Sequence, residues 1–268
     1  MRIGAYSFQL TESVSQNVER FLYAIHLAAE QNVRLLVFPE CSLTGYPCEE
    51  IGKPDDIDFD MVDCAISQLQ DSAKKYGIHL VFGAVEKSGN VFYNSAYSIY
   101  PGEKAEVLYR KRALWGWDRD SFQPGYDDGG VISIDGLRFG VRICYEVRFP
   151  EYFRELYRQK TDCNLVLFCD RTEMDSMDRY NLIKAHLLTR AVENVTPLVS
   201  VNNCAKYQTA PTMAIDEDGN VLAEQPRQEE GLLVFDLVHR KSISFSAEGR
   251  RVNSNRLVGE TEDKTRAG

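Results

Sequence analysis

The chain has no apolar run approaching the ~18 residues that a membrane-crossing helix needs. It opens Met1-Arg2-Ile3-Gly4-Ala5-Tyr6, which lacks the long apolar core of an export signal and reads as a strand. Positive charge is also short. With 31 basic against 40 acidic side chains, the net charge is −9. Nucleic acids and anionic membranes are recognised through a basic footprint, so neither is an expected partner. The 4 histidines, His26, His79, His186 and His239, show no metal-ligand spacing with one another or with a cysteine or acid. No metal and no cofactor is expected. The 7 cysteines are odd in number and include no C-x-x-C pair. They read as free thiols in a reducing compartment, hence a cytoplasmic location. No linker rich in Pro, Gly or Ser divides the chain, and no short-period repeat is present.

What remains is ordinary for a globular protein: 268 residues, 44% apolar and 26% charged. Strand and helix patterns alternate. Residues 2–9 read as a strand. Val18, Phe21, Leu22, Ile25 and Ala29 recur at helical spacing over about 15–31. Arg34 to Phe38 is a continuous apolar strand. Met61, Ile66, Leu69 and Ala73 mark a helix over 58–76, closed by Gly77. Strands follow at 79–85 and 91–100, then at 131–134 and 137–144 around an Asp135-Gly136 turn. Pro150 opens a helix carrying Tyr152, Phe153, Leu156 and Tyr157. A strand at 164–168 precedes a helix at 177–194, whose core face is read as Leu182, Ala185, Leu188 and Val192. Strands at 197–201, 213–215, 221–223 and 232–237 complete the pattern. From about Ala247 the chain is polar and reads as a surface-wrapping or disordered tail. Such alternation points to an α/β layered domain with helices outside mixed sheets.

Three of these strands end on reactive groups. Leu35-Leu36-Val37-Phe38-Pro39 delivers Glu40, Val107-Leu108-Tyr109-Arg110 delivers Lys111, and Phe139-Gly140-Val141-Arg142-Ile143 delivers Cys144. A carboxylate, an ammonium and a thiol are a base, an oxyanion stabiliser and a nucleophile for acyl transfer. Each has a bland alternative when taken singly. Glu40 could brace a loop, Lys111 could belong to a solvated basic cluster, and Cys144 could be inert packing. A papain-like pairing requires a histidine beside Cys144, for which His186 is the one candidate.

Together the three blocks resemble the nitrilase (carbon–nitrogen hydrolase) superfamily. They are Pro39-Glu40 with Leu43-Thr44-Gly45-Tyr46, then Tyr109-Arg110-Lys111, then Gly140-Val141-Arg142-Ile143-Cys144-Tyr145-Glu146-Val147-Arg148-Phe149-Pro150-Glu151. Arg190-Ala191-Val192-Glu193-Asn194 with Asn202, the Asp216-Glu217-Asp218-Gly219-Asn220 turn and Glu230-Gly231-Leu232-Leu233-Val234 extend the resemblance over most of the chain. It implies a four-layer α-β-β-α sandwich with two mixed sheets back to back. One carbon–nitrogen hydrolase domain would span residues 1–250, with a polar tail over 251–268. The implied assembly is a homodimer or higher homo-oligomer. Glu40 would be the base, Lys111 the oxyanion stabiliser and Cys144 the nucleophile, with the backbone N–H of Tyr145 sharing the oxyanion. The implied reaction cleaves a small amide or carbamoyl compound through a Cys thioester, releasing ammonia or an amine.

The sequence departs from the family pattern at three positions. Asp118 stands where a glutamate is usual, Ala113 where a histidine is common, and Glu146 where an aspartate is usual. Asp118 is counted with the catalytic residues, and Tyr46 and Trp115 with the substrate-binding ones. Trp115 and Trp117 either wall the pocket or anchor the loop. By the same resemblance the polar loop from Cys169 to Met177 helps line the pocket, and Arg171 or Glu173 contacts a polar or charged substrate, unless that loop is simply solvated. The departures also keep open a non-catalytic ligand- or protein-binding scaffold, and the Glu40 block keeps open a glutamine amidase subunit.

Overall fold

Arg2–Ser7 (β1), Leu35–Val37 (β2) and His79–Ser88 (β3) form a parallel trio. Val91–Ile99 (β4) and Glu106–Arg110 (β5) extend it antiparallel on one side. Val131–Ile134 (β6) pairs antiparallel with Leu137–Ile143 (β7), which starts a second parallel trio with Cys163–Leu167 (β8) and Leu198–Val201 (β9). Met213–Ile215 (β10) and Val221–Glu224 (β11) extend that trio antiparallel. Gly231–Asp236 (β12) returns to pair antiparallel with β1. The sheet orders are therefore β12-β1-β2-β3-β4-β5 and β11-β10-β9-β8-β7-β6, the same plan built twice. These statements come from a computed structural model that describes residues 1–238 and 243–259.

Each layer follows from burial. The inner faces of the two sheets meet through Ile3, Leu35, Val37 and Val81 on one side and Phe139, Val141, Leu165 and Val199 on the other. Helices Val14–Glu30 (α1) and Phe59–Tyr76 (α2) cover the outer face of the first sheet. There Phe21 stacks on Phe38 with ring centroids 3.9 Å apart. Burying a side chain of this size contributes about 1.5–3 kcal/mol. Asp118–Ser121 (α3) is a single turn in the long connection after β5. Pro150–Arg158 (α4) and Met177–Asn194 (α5) cover the second sheet through Phe153, Ile183, Leu187 and Ala191. Helix, sheet, sheet and helix make the four expected layers. The Asp135-Gly136 turn has both residues at positive φ, 50° and 82°, as a two-residue hairpin turn requires.

Three readings of the sequence need correction. Helix α5 buries Ile183, Leu187 and Ala191, not the face expected; Leu182 and Ala185 are exposed. This helix carries apolar residues on two stripes, so periodicity alone could not choose between them. On α2, Met61 is likewise exposed, and Val62 and Ala65 are buried instead. The polar tail is helical at its start. Phe245–Leu257 (α6) is capped by Ser244, whose hydroxyl accepts the Ala247 N–H at 3.0 Å. Arg250 binds Asp218 at 2.7 Å and the Val192 carbonyl at 3.0 Å, so polar contacts to the second half do what an apolar stripe usually does. The end of the expected tail, 260–268, lies outside the described residues.

Candidate active site

Glu40, Lys111 and Cys144 lie just past the ends of β2, β5 and β7. Glu40 and Lys111 are fully buried and share one ion pair, Lys111 Nζ to Glu40 Oε1 at 2.8 Å. Lys111 Nζ also donates to Asp118 Oδ2 at 2.6 Å. The shorter aspartate therefore still reaches the ammonium. It does so from α3, whose preceding turn supplies the Trp115 N–H to the same oxygen at 3.0 Å. The Tyr46 hydroxyl donates to the other Asp118 oxygen. Glu40 is braced as well. Asn94 Nδ2 donates to Oε1 at 2.7 Å and the Cys169 N–H to Oε2 at 2.9 Å.

Burial pushes Glu40 above the ordinary carboxylate range, although Lys111 pulls it down. Burial acts to lower Lys111, but Glu40 and Asp118 outweigh it and hold the ammonium well above its ordinary value. Burial, seconded by the Glu40 charge, pushes the Cys144 thiol well up. Burial thus favours the neutral thiol at Cys144.

Cys144 is held under backbone strain. Cys144 has φ 46°, in the left-handed region, and opens a 3₁₀ helix over Cys144–Arg148. A non-glycine residue there costs about 1–3 kcal/mol and persists where the surroundings impose it. Cys41, directly after Glu40, has φ 50°. The leading N–H groups of a helix lack carbonyl partners along the helix, and that of Tyr145 is among them. Glu146 is buried, and its Oε2 accepts the Ile143 N–H at 2.8 Å. Arg190 reaches from α5 to the Val147 carbonyl at 2.9 Å.

One cleft brings Cys144, Lys111, Tyr46, Trp115, Trp117, Tyr145 and Arg171 together. The two tryptophans meet edge to face, with centroids 4.6 Å apart. Glu173 is a correction: it is exposed and does not line the cleft. Arg171 lines the cleft but is held by Glu49, with Nε at 2.9 Å and Nη2 at 2.5 Å from one carboxylate oxygen. His186 does not line the cleft, so the papain-like pairing has no geometric support. Sequence reading placed Cys169 and Asp170 in the loop expected to line the pocket, and missed Asn94, Arg148 and Arg179. Asn94 sits mid-strand, where no spacing or charge signals it. Arg148 stood inside a quoted block without a role. Among the described residues no group of three His, Cys, Asp or Glu side chains could hold a metal ion, and no helix is long and apolar enough to cross a membrane.

The family model for carbon-nitrogen hydrolase matches residues 2–243. The chain belongs to the carbon–nitrogen hydrolase family. Among its relatives is a 2-oxoglutaramate amidase of Bacillus subtilis (strain 168), 29% identical over 223 residues, covering 80% of this chain and 82% of the relative. An (R)-stereoselective amidase of Pseudomonas sp is also 29% identical, covering 80% of this chain and 76% of that protein. A variant of the amidase from Nesterenkonia sp. AN1 superposes with a TM-score of 0.81 at 26% identity, covering 96% of this chain and 99% of that one. That structure carries acrylamide added to the active-site cysteine. This member of the carbon–nitrogen hydrolase family is a cysteine-dependent amide hydrolase of the amidase type.

Proposed function

We propose that Cys144 is the nucleophile, Glu40 the general base and Lys111 the oxyanion stabiliser in hydrolysis of a small linear amide. The observation that carries this reading is the buried Lys111–Glu40 contact of 2.8 Å beside the cleft that Cys144 lines. A buried ion trio costs several kcal/mol of desolvation per charge, which a non-catalytic scaffold would have no use for. Cys144 Sγ attacks the amide carbon as its proton passes to Glu40. The developing oxyanion faces the Lys111 ammonium and the Tyr145 N–H. The C–N bond breaks, Glu40 returns the proton to the leaving nitrogen, and ammonia or an amine departs, leaving a thioester. Water then attacks with Glu40 again taking a proton; the C–S bond breaks, Glu40 passes that proton to the departing sulfur, and the carboxylic acid is released with the free thiol restored. Asp118 and Tyr46 position Lys111 in this scheme, and Trp115 walls the acyl pocket.

The relatives carry different names, a 2-oxoglutaramate amidase and an (R)-stereoselective amidase, so acyl preference has to arise from this chain's own cleft. A single hydrolase domain, a homodimer and a cytoplasmic setting belong to the same proposal; the seven free cysteines support the last. Ammonia release from a panel of small amides and ureido acids, with Cys144→Ala as blank, tests the reading. Turnover lost in Cys144→Ala supports it, and turnover retained there overturns it.

A further inference from the structure

Asp170 lines the cleft with Cys144, yet no step of the proposed reaction uses it. It is only 7% exposed. Its backbone is fixed from two sides. The Asp170 N–H donates to Asn202 Oδ1 at 2.9 Å, and its carbonyl accepts Asn202 Nδ2 at 2.9 Å and the Thr209 N–H at 3.0 Å. Asn202 is itself fully buried. The preceding residue, Cys169, is the one whose N–H braces Glu40. The Asp170 carboxylate is only half engaged. Oδ1 accepts Arg179 Nη2 at 2.6 Å, whereas Oδ2 meets no donor among the described residues and is not sealed from open space. After burial and the Glu40 charge, the Asp170 charge also pushes the Cys144 thiol up, so this carboxylate is felt at the sulfur. Polar atoms held in a nearly buried place normally have partners. An acceptor fixed at a cleft and lacking a donor has room for one from the substrate.

We infer that Asp170 determines acyl specificity: its Oδ2 accepts a hydrogen bond from a hydroxyl on the carbon next to the scissile carbonyl. The inference rests on the amidase reading above and names its substrate class: amides of short 2-hydroxy acids. The free volume of the cleft is about 40 Å³, and one water needs about 10–15 Å³. The acyl group is therefore only a few atoms long, and a donor that reaches Oδ2 lies close to the reacting carbon. Arg179 already balances the Asp170 charge, so a neutral hydroxyl, not an ammonium, is the matching donor. A hydrogen bond to an ionised acceptor is stronger than one between neutral groups. An acyl group without the hydroxyl strips water from Oδ2 and leaves it unpaired, and a site built for a donor rejects the analogue that lacks one. The hydroxyl takes no part in the bonds made or broken.

Lactamide and propionamide test this, since they differ by one hydroxyl at that carbon. The wild-type enzyme is expected to turn over the better enantiomer of lactamide with kcat/KM at least tenfold above propionamide. Lactate is expected to inhibit more strongly than propionate, and alaninamide, with an ammonium at the same carbon, to be turned over less well than lactamide. In Asp170→Asn, Arg179 keeps the oxygen and the amide NH₂ faces the cleft, so donor meets donor. The lactamide-to-propionamide ratio should then fall at least tenfold, and pyruvamide, which presents a carbonyl acceptor there, should gain on lactamide. A ratio taken within one protein cancels any loss of folded enzyme. If Asp170→Asn does not fold, the wild-type ratio and the lactate inhibition still decide. Equal turnover of lactamide and propionamide, a ratio that survives in Asp170→Asn, or a preference for alaninamide overturns the inference and leaves the amidase reading standing. No turnover of any amide, with no acyl adduct on Cys144, removes the amidase reading and this inference with it.

Discussion

Glu146 Oε1 accepts the backbone N–H of Arg112 at 2.8 Å, fastening the turn that carries Cys144 to the strand end that carries Lys111. The same oxygen accepts the Tyr109 hydroxyl at 2.7 Å and the Ala113 N–H at 3.3 Å, and Oε2 accepts the Ile143 N–H. Two departures from the family pattern, Ala113 and Glu146, thus meet in one contact. Glu146→Gln would turn an amide NH₂ toward a ring of donors. It is expected to lose about 1–3 kcal/mol of stability in chemical denaturation. Turnover of the folded fraction should fall about tenfold, equivalent to about 1.4 kcal/mol of barrier. Wild-type stability in that variant would remove the bracing role.

The pH profile follows from Glu40. The proposed base works only when ionised, and burial raises its pKa. The acid limb of kcat/KM should therefore lie above the ordinary glutamate value of about 4.3. Asn94 donates to the carboxylate and pulls that pKa down. Asn94→Ala removes the pull, so the limb should move to higher pH. Lys111 is held above its ordinary value of about 10.4, so no loss from its deprotonation is expected below that pH. A limb that moves to lower pH in Asn94→Ala would contradict the assignment of Glu40 as base.

Gly83 on β3 lets the Glu40 turn approach the sheet. A Cβ at that position would fall against Cys41 N and 2.6 Å from Glu40 Cα and Pro39 O. These are backbone atoms and cannot swing aside. Gly83→Ala is expected to cost about 1–3 kcal/mol of stability. It should also lower kcat in the protein that still folds, because Glu40 shifts away from Lys111. Unchanged kcat and melting temperature would show that the Glu40 turn has slack.

Much of this was legible in the sequence, for identifiable reasons. β2 and β8 are short and mostly apolar, so they read as buried strands before any coordinates, while β7 alternates Leu137, Phe139, Val141 and Ile143 with Arg138 and Arg142. The reactive groups at strand ends were visible because their neighbours mark where each strand stops. The α5 face was not legible, since two apolar stripes compete there. Nor was α6, whose docking is polar. Glu173 and Arg171 looked equivalent in sequence; only the fold shows one pointing outward and the other claimed by Glu49. Asn94 and Arg179 owe their positions to strand pairing and helix packing, which local sequence does not encode.

The most direct test is to locate the covalent intermediate. Enzyme mixed with a turned-over amide and quenched in acid within the steady state should carry one acyl group, and peptide mapping should place it on Cys144 alone. The exposed Cys48 and Cys64 should remain unmodified. An acyl group on any other cysteine, or amide turnover that persists in Cys144→Ala, would contradict the account.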